Sequence, residues 1–160
     1  MTVCCSPVGN IADLNARSKL PSIAEIEETF GFFDDWEDRY RYVIDLGKDL
    51  APLLPGDRND ASLVKGCQSQ VWLQTAYDPN EDRFYLAIDS DAHIVRGLAA
   101  ILIAALSGRS PNEIKQTDPE ALFEALDLLG HLSPSRGNGL KAMIAKIQQL
   151  AAAASGDVCE

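Results

Sequence analysis

Basic residues are scarce in this chain. Lysine and arginine together number 14 against 24 aspartates and glutamates, so 160 residues carry a formal net charge of −10. Nucleic acid and anionic bilayers both select basic surfaces, so neither is an expected partner. A neutral or acidic pocket stays open, and so does a partner protein with a basic docking face. Long apolar runs are missing as well. The most apolar stretch, Gly97 to Leu106, is about half of the roughly 20 residues a bilayer span needs, and Arg96 precedes it. The chain does not open with a basic region followed by an apolar one, and its start is not rich in arginine, so neither a secretory nor a mitochondrial signal is expected and the address is cytosolic. Cysteine is sparse: Cys4, Cys5, Cys67 and Cys159, with no C-x-x-C and with His93 and His131 far from them in sequence. A disulfide framework and a zinc site of spaced pairs are therefore not expected, and no metal is assigned.

What is present suits one soluble domain. The hydrophobic fraction is 46% and the charged fraction 24%. Residues 1–20 have no apolar period and read as a disordered lead-in, 21–153 as a single domain, and 154–160 as a frayed tail. Ser22 and Glu25 make a capping box ahead of a stripe of Ile23, Ile26 and Phe30, with Gly31 as the stop. Asp35 caps a second helix from Trp36 to about Leu50, whose Tyr40, Val43, Leu46, Gly47 and Leu50 share a side. "SLVKG" reads as a short strand. "SQVWLQTAY" and "RFYLAIDS" alternate as strands around the turn Asp78-Pro79-Asn80, which predicts an antiparallel hairpin. Four helical segments follow. The first, His93 to Leu106, is apolar on most sides and stops at Gly108. Ser110-Pro111, Asp118-Pro119 and Ser133-Pro134 start the others; Gly130 is the expected stop of the third. Helices, then a small sheet of about three strands, then helices predict an α+β fold with helices on one face of an antiparallel sheet.

Cys67 lies where the chain turns at Gly66 and is about to become a strand. A packing thiol belongs on a buried face, whereas a thiol at a glycine turn is placed to be reached. Gly66 frees the backbone, and Lys65 with the turn amides favours the thiolate. No histidine is adjacent to serve as a base, so a Cys–His hydrolase is not signalled.

Four blocks carry a resemblance: "VKGCQSQVWL", "DSDAHIVRGL" from Asp89, "HLSPSRGNGLKAMI" from His131, and "WEDRYRYVIDLG" from Trp36. Together they resemble the SufE family, which includes CsdE proteins. The resemblance runs from about Ile23 to Ala151 and implies the α+β fold shared with IscU-type scaffolds. It implies a sulfur acceptor that docks on a pyridoxal-phosphate cysteine desulfurase of the SufS or CsdA type and raises its turnover. The acceptor takes the persulfide sulfur on Cys67 and passes it on for iron–sulfur assembly, to a scaffold such as SufBCD. Gly66, Lys65, Gln68 and Ser69 are the implied loop support, and Gly66 is the expected hinge of a Cys67 that swings out on docking. The chain needs no cofactor of its own for this; pyridoxal phosphate belongs to the partner. The alternative is an IscU-type cluster scaffold, which needs several ligands on one face where the body offers a single cysteine.

Asp89, Asp91 and Arg96 are candidate docking residues beside the Cys67 loop. The structural reading has Asp91 or Ser90 capping the long helix and Asp89 at the sheet edge. His131 and Arg136 are candidates for a minor role, with Ser133 as a helix cap and His131 bonded to backbone. Cys4, Cys5 and Cys159 read as incidental thiols.

Overall fold

Serine and aspartate set the helix starts. In the computed structural model, which describes residues 20–50, 58–60, 62–64 and 70–155, Ser22 accepts from the Glu25 amide and opens α1, Ile23–Gly31. Asp35 accepts from the Asp38 amide at 2.9 Å and opens α2, Trp36–Lys48. These side chains satisfy amides that have no partner within the helix. The expected lead-in and tail lie outside the described residues, apart from Leu20, which packs against the core, and the tail residues at the end of the last helix.

Strands β1, Val71–Asp78, and β2, Arg83–Ser90, pair antiparallel in a register running from Val71 opposite Ser90 to Asp78 opposite Arg83. The Asp78 carboxylate accepts from the Asn80 amide at 2.9 Å, and Asp82 takes a left-handed φ of 54°, which closes the turn. These are the two strands of the sheet among the described residues, where about three were expected. Leu63 makes a single bridge to Trp72, flanked by Val64 N–H donating to Val71 O at 2.8 Å and Leu73 N–H to Ser62 O at 2.7 Å. That short run covers the outer edge of β1. Residues 107–109 cover the edge of β2: Phe84 exchanges bonds with Arg109 O and Gly108 N–H, and the Leu86 amide donates to Ser107 Oγ. Each edge is thereby covered over part of its length, which limits its pairing with another chain.

Helix α3, His93–Leu106, packs on β2 and buries eleven of its 14 residues, with Leu98, Ala99, Ala100, Ile101, Leu102 and Leu106 at 0–1% exposure. Burial of each leucine or isoleucine stabilises the fold by about 1.5–3 kcal/mol. Helix α2 crosses α3 at backbone contact. A Cβ added to Gly97 would lie 2.0 Å from Val43 O, and one added to Gly47 would lie 2.7 Å from Gly97 N, so both crossing residues must be glycine. Gly108, at φ +86°, follows α3 in the left-handed conformation that suits glycine.

Helix α4, Pro111–Gln116, is capped reciprocally by Ser110 and Glu113. Helix α5, Pro119–Ala125, starts on Asp118 as expected but ends well before Gly130. Asp127, at φ 60°, reverses the chain instead, and Leu128 then enters the core with no exposed surface. Helix α6, Pro134–Ser155, buries Leu140, Met143, Ile144, Ile147 and Ala151, and continues through Ala154 and Ser155, where a frayed tail was expected.

Candidate functional site

The end of the hairpin where β1 begins is tied by three consecutive residues, Asp89, Ser90 and Asp91. Ser90 and Asp91 hold Gln70, the residue that enters β1. Ser90 Oγ donates to Gln70 O at 2.7 Å, Asp91 N–H donates to the same oxygen at 3.3 Å, and Gln70 N–H donates to Asp91 Oδ1 at 3.1 Å. Asp91 therefore does not cap α3. The N-cap is Ala92, with no side-chain bond of its own, and its amide donates to Ser90 Oγ at 3.1 Å. The carboxylate that was expected at the helix start is engaged across the hairpin end.

Asp89 lies deeper. It sits opposite Trp72 in the sheet register and has 0% exposure, so the carboxylate read as a docking candidate faces the interior rather than a partner. Burial of a carboxylate demands paired charge and full hydrogen bonding. Arg58 provides both from one side: Nε and Nη2 donate to Asp89 Oδ2 at 3.0 and 2.8 Å. Its guanidinium also lies 5.7 Å from the centroid of the Trp72 ring, a cation–π contact. Arg96 Nη1 and the Ser90 amide donate to Asp89 Oδ1. The rest of the Arg96 fork reaches the end of α2, with Nη2 donating to Leu50 O at 2.7 Å and Nε to Gly47 O at 3.3 Å. Arg96, also read as a docking candidate, is thus mostly enclosed, with a side chain 16% exposed.

Cys67, Gly66, Lys65, Gln68 and Ser69 lie outside the described residues. The described chain fixes the points between which they run: Val64, bonded to Val71, and Gln70, bonded to Asp91 and Ser90. Three peptide units separate Cys67 from each of those points, and three units span at most about 11 Å.

His131 and Arg136 make their described contacts elsewhere. The His131 ring stacks on Trp36 with centroids 4.4 Å apart and planes at 14°, and its Nε2 is 3.3 Å from Asp127 Oδ2. Arg39 joins the same carboxylate at 3.4 Å. The ring of His131 was expected to bond backbone; an aromatic neighbour and a carboxylate hold it instead. Ser133 does act as a cap, accepting from the Arg136 amide at 3.3 Å, while Arg136 itself is exposed.

Sequence reasoning missed Arg58 and Gln70. A signal for Arg58 was present: it is a lone arginine in the acidic "GDRNDAS" of a chain short of basic residues. Among the described residues no three His, Cys, Asp or Glu side chains gather as a metal set, and no helix is long and apolar enough to cross a membrane.

The family model SufE, described as an Fe–S metabolism associated domain, matches residues 24–151. The chain belongs to the SufE family. An uncharacterised SufE-like protein of Rhizobium etli is 46% identical over 135 residues, covering 83% of this chain and 91% of its own length. Another from Rhizobium meliloti is 44% identical over 131 residues, covering 81% of this chain and 94% of its own. The solution structure of a hypothetical protein from Thermus thermophilus superposes with a TM-score of 0.66 at 21% identity, covering 83% of this chain and 95% of that one, which places the two in one fold. The SufE segment begins in α1 and ends in α6, so it takes in every tie of the hairpin end.

Proposed function

We propose that this SufE protein is a sulfur acceptor that takes the outer sulfur of a cysteine desulfurase persulfide on Cys67 and delivers it to iron–sulfur assembly. The observation that carries the reading is one of sequence position. The chain's four cysteines are Cys4, Cys5, Cys67 and Cys159, and only Cys67 falls inside the family segment 24–151, in "GCQSQVW". The frame around it supports the reading, because the entry and exit of its connection are both anchored on one hairpin end.

The chemistry is thiol–disulfide exchange with a sulfur atom as cargo. The Cys67 thiolate attacks the outer sulfur of the partner's persulfide. The S–S bond of that persulfide breaks, and its electron pair leaves on the partner's cysteine as a thiolate. A new S–S bond joins the outer sulfur, with its proton, to Cys67. Charge and oxidation level balance without a metal or cofactor on this chain; pyridoxal phosphate serves the partner when it draws sulfur from cysteine. The partner is a desulfurase of the SufS or CsdA type, and the downstream acceptor is a cluster scaffold such as SufBCD.

The test is mass spectrometry after incubation with a desulfurase and L-cysteine. Wild type gains a sulfur that maps to Cys67, Cys67→Ser gains none, and the triple variant Cys4→Ser, Cys5→Ser, Cys159→Ser behaves as wild type. A sulfur gain that persists in Cys67→Ser refutes the assignment. A stable, Cys67-dependent cluster after anaerobic reconstitution with iron and sulfide replaces the carrier with a scaffold.

A further inference from the structure

We infer that Asp89 is a positioning residue for sulfur transfer: braced by Arg96 against the end of α2, it acts through Arg58 on the entry to the Cys67 connection and through the adjoining Ser90 on its exit. The inference rests on the sulfur-acceptor reading and adds to it the residues that set the geometry of the acceptor.

Three observations carry it. First, Asp89 is fully buried, and each of its oxygens is engaged: Oδ2 by Nε and Nη2 of Arg58, Oδ1 by Arg96 and the Ser90 amide. Asp89 with Arg96 is a buried pair, and such a pair often adds no more stability than apolar side chains of the same volume would, so its use here is to hold one geometry; Arg58, whose side chain is 37% exposed, closes it from the solvent side. Second, the arginines reach segments distant in sequence. Arg58 leads directly into residues 62–64, which bond to β1 and end at Val64, the entry to the connection. Arg96 ties the same carboxylate to Leu50 O and Gly47 O at the end of α2. Third, the residues next in sequence, Ser90 and Asp91, hold Gln70, the exit. Entry and exit therefore share one short run, Asp89 to Asp91, at the end of β2, and a displacement of Asp89 is passed to both.

Arginine is required at position 58 for a geometric reason. Its planar fork grips one carboxylate oxygen with two nitrogens while its face lies over Trp72. A lysine keeps the charge but fixes neither angle nor plane. Attack of sulfur on an S–S bond needs close, in-line approach, and a misplacement of about 1 Å lowers such a rate by about 100-fold.

The experiment uses the full chain with Cys67 as its sole thiol (Cys4→Ser, Cys5→Ser, Cys159→Ser), and adds Arg58→Met, Arg58→Lys or Asp89→Asn. Four quantities are read: the melting curve, affinity for the desulfurase, the single-turnover rate of sulfur transfer at saturating desulfurase, and the rate of Cys67 alkylation by iodoacetamide. Arg58→Met is expected to fold and to bind the desulfurase as the parent does, yet to transfer sulfur about 10- to 100-fold more slowly. Its alkylation rate shifts as well, and Arg58→Lys recovers part of both losses. Asp89→Asn shows the same pattern if it folds; the Arg58 pair decides the matter if it does not. Folded variants that lose melting temperature alone, with transfer and alkylation at parental rates, overturn the proposal. If the parent takes up no sulfur, the acceptor reading falls. The alkylation comparison then decides the positioning role by itself: a changed rate in Arg58→Met upholds it and an unchanged rate overturns it.

Discussion

At the scale of single residues, the same side-chain chemistry has different consequences according to enclosure. Asp89 and Asp91 are two residues apart. One is sealed between two guanidiniums, and the other is exposed and accepts a backbone amide. Sequence position near Cys67 identified both but could not separate them, because enclosure depends on Arg58 and on α2, which arrive from elsewhere in the chain. A simpler case lies at the far end of the hairpin. Tyr77 donates its phenol proton to Asp82 Oδ1 at 2.6 Å, and its pKa is raised above the ordinary 10.0, first by that hydrogen bond, then by desolvation and by the charges of Asp82 and Asp78. The neutral phenol is the form that donates, so ionisation loses the bond and sets two anions side by side. The contribution to stability is complete below the pKa of an unfolded tyrosine and is lost as pH rises through the raised value. Asp82→Asn, which tolerates the left-handed backbone there, is expected to lower the Tyr77 midpoint towards 10, as read by NMR of ring-labelled tyrosine. An unchanged midpoint would mean that the hydrogen bond does not govern the titration.

At the scale of elements, most starts were legible and some ends were not. Ser22, Asp35, Ser110 and Asp118 each begin the helix their chemistry announces. Caps act through amides three residues away, so local sequence is enough to find them. The end of α5 was misjudged, because Asp127 in a left-handed conformation leaves no sequence mark as clear as glycine. The Asp91 cap failed for a related reason: another donor, the Gln70 amide, claims its carboxylate across the hairpin. The α2–α3 crossing supplies a direct test. Gly97→Ala would drive a Cβ to within 2.0 Å of Val43 O, a backbone atom that cannot rotate away. It is expected to destabilise the fold by about 1–3 kcal/mol or more, measured by urea unfolding. Because Arg96 adjoins Gly97 and bonds Gly47 O, the same change should disturb the Asp89 node.

At the scale of the whole molecule, one cluster of buried side chains runs from Ile26 and Phe30 in α1 through the sheet and α3 to Ile147 and Ala151 in α6. A single core predicts a single cooperative transition, in which far-ultraviolet and near-ultraviolet circular dichroism report the same midpoint. Separate midpoints would divide the chain into independent units. The α+β order, the hairpin and its turn, the apolar helix between His93 and Leu106 and membership in the SufE family were all determined by the sequence, because each rests on local pattern or on motifs contiguous in the chain. Only tertiary structure brought Arg58, Asp89, Arg96 and the end of α2 to one point, enclosed a carboxylate there, and placed His131 against Trp36. Those pairings join residues far apart in sequence, and their value depends on the exclusion of water, which no short stretch of sequence specifies by itself.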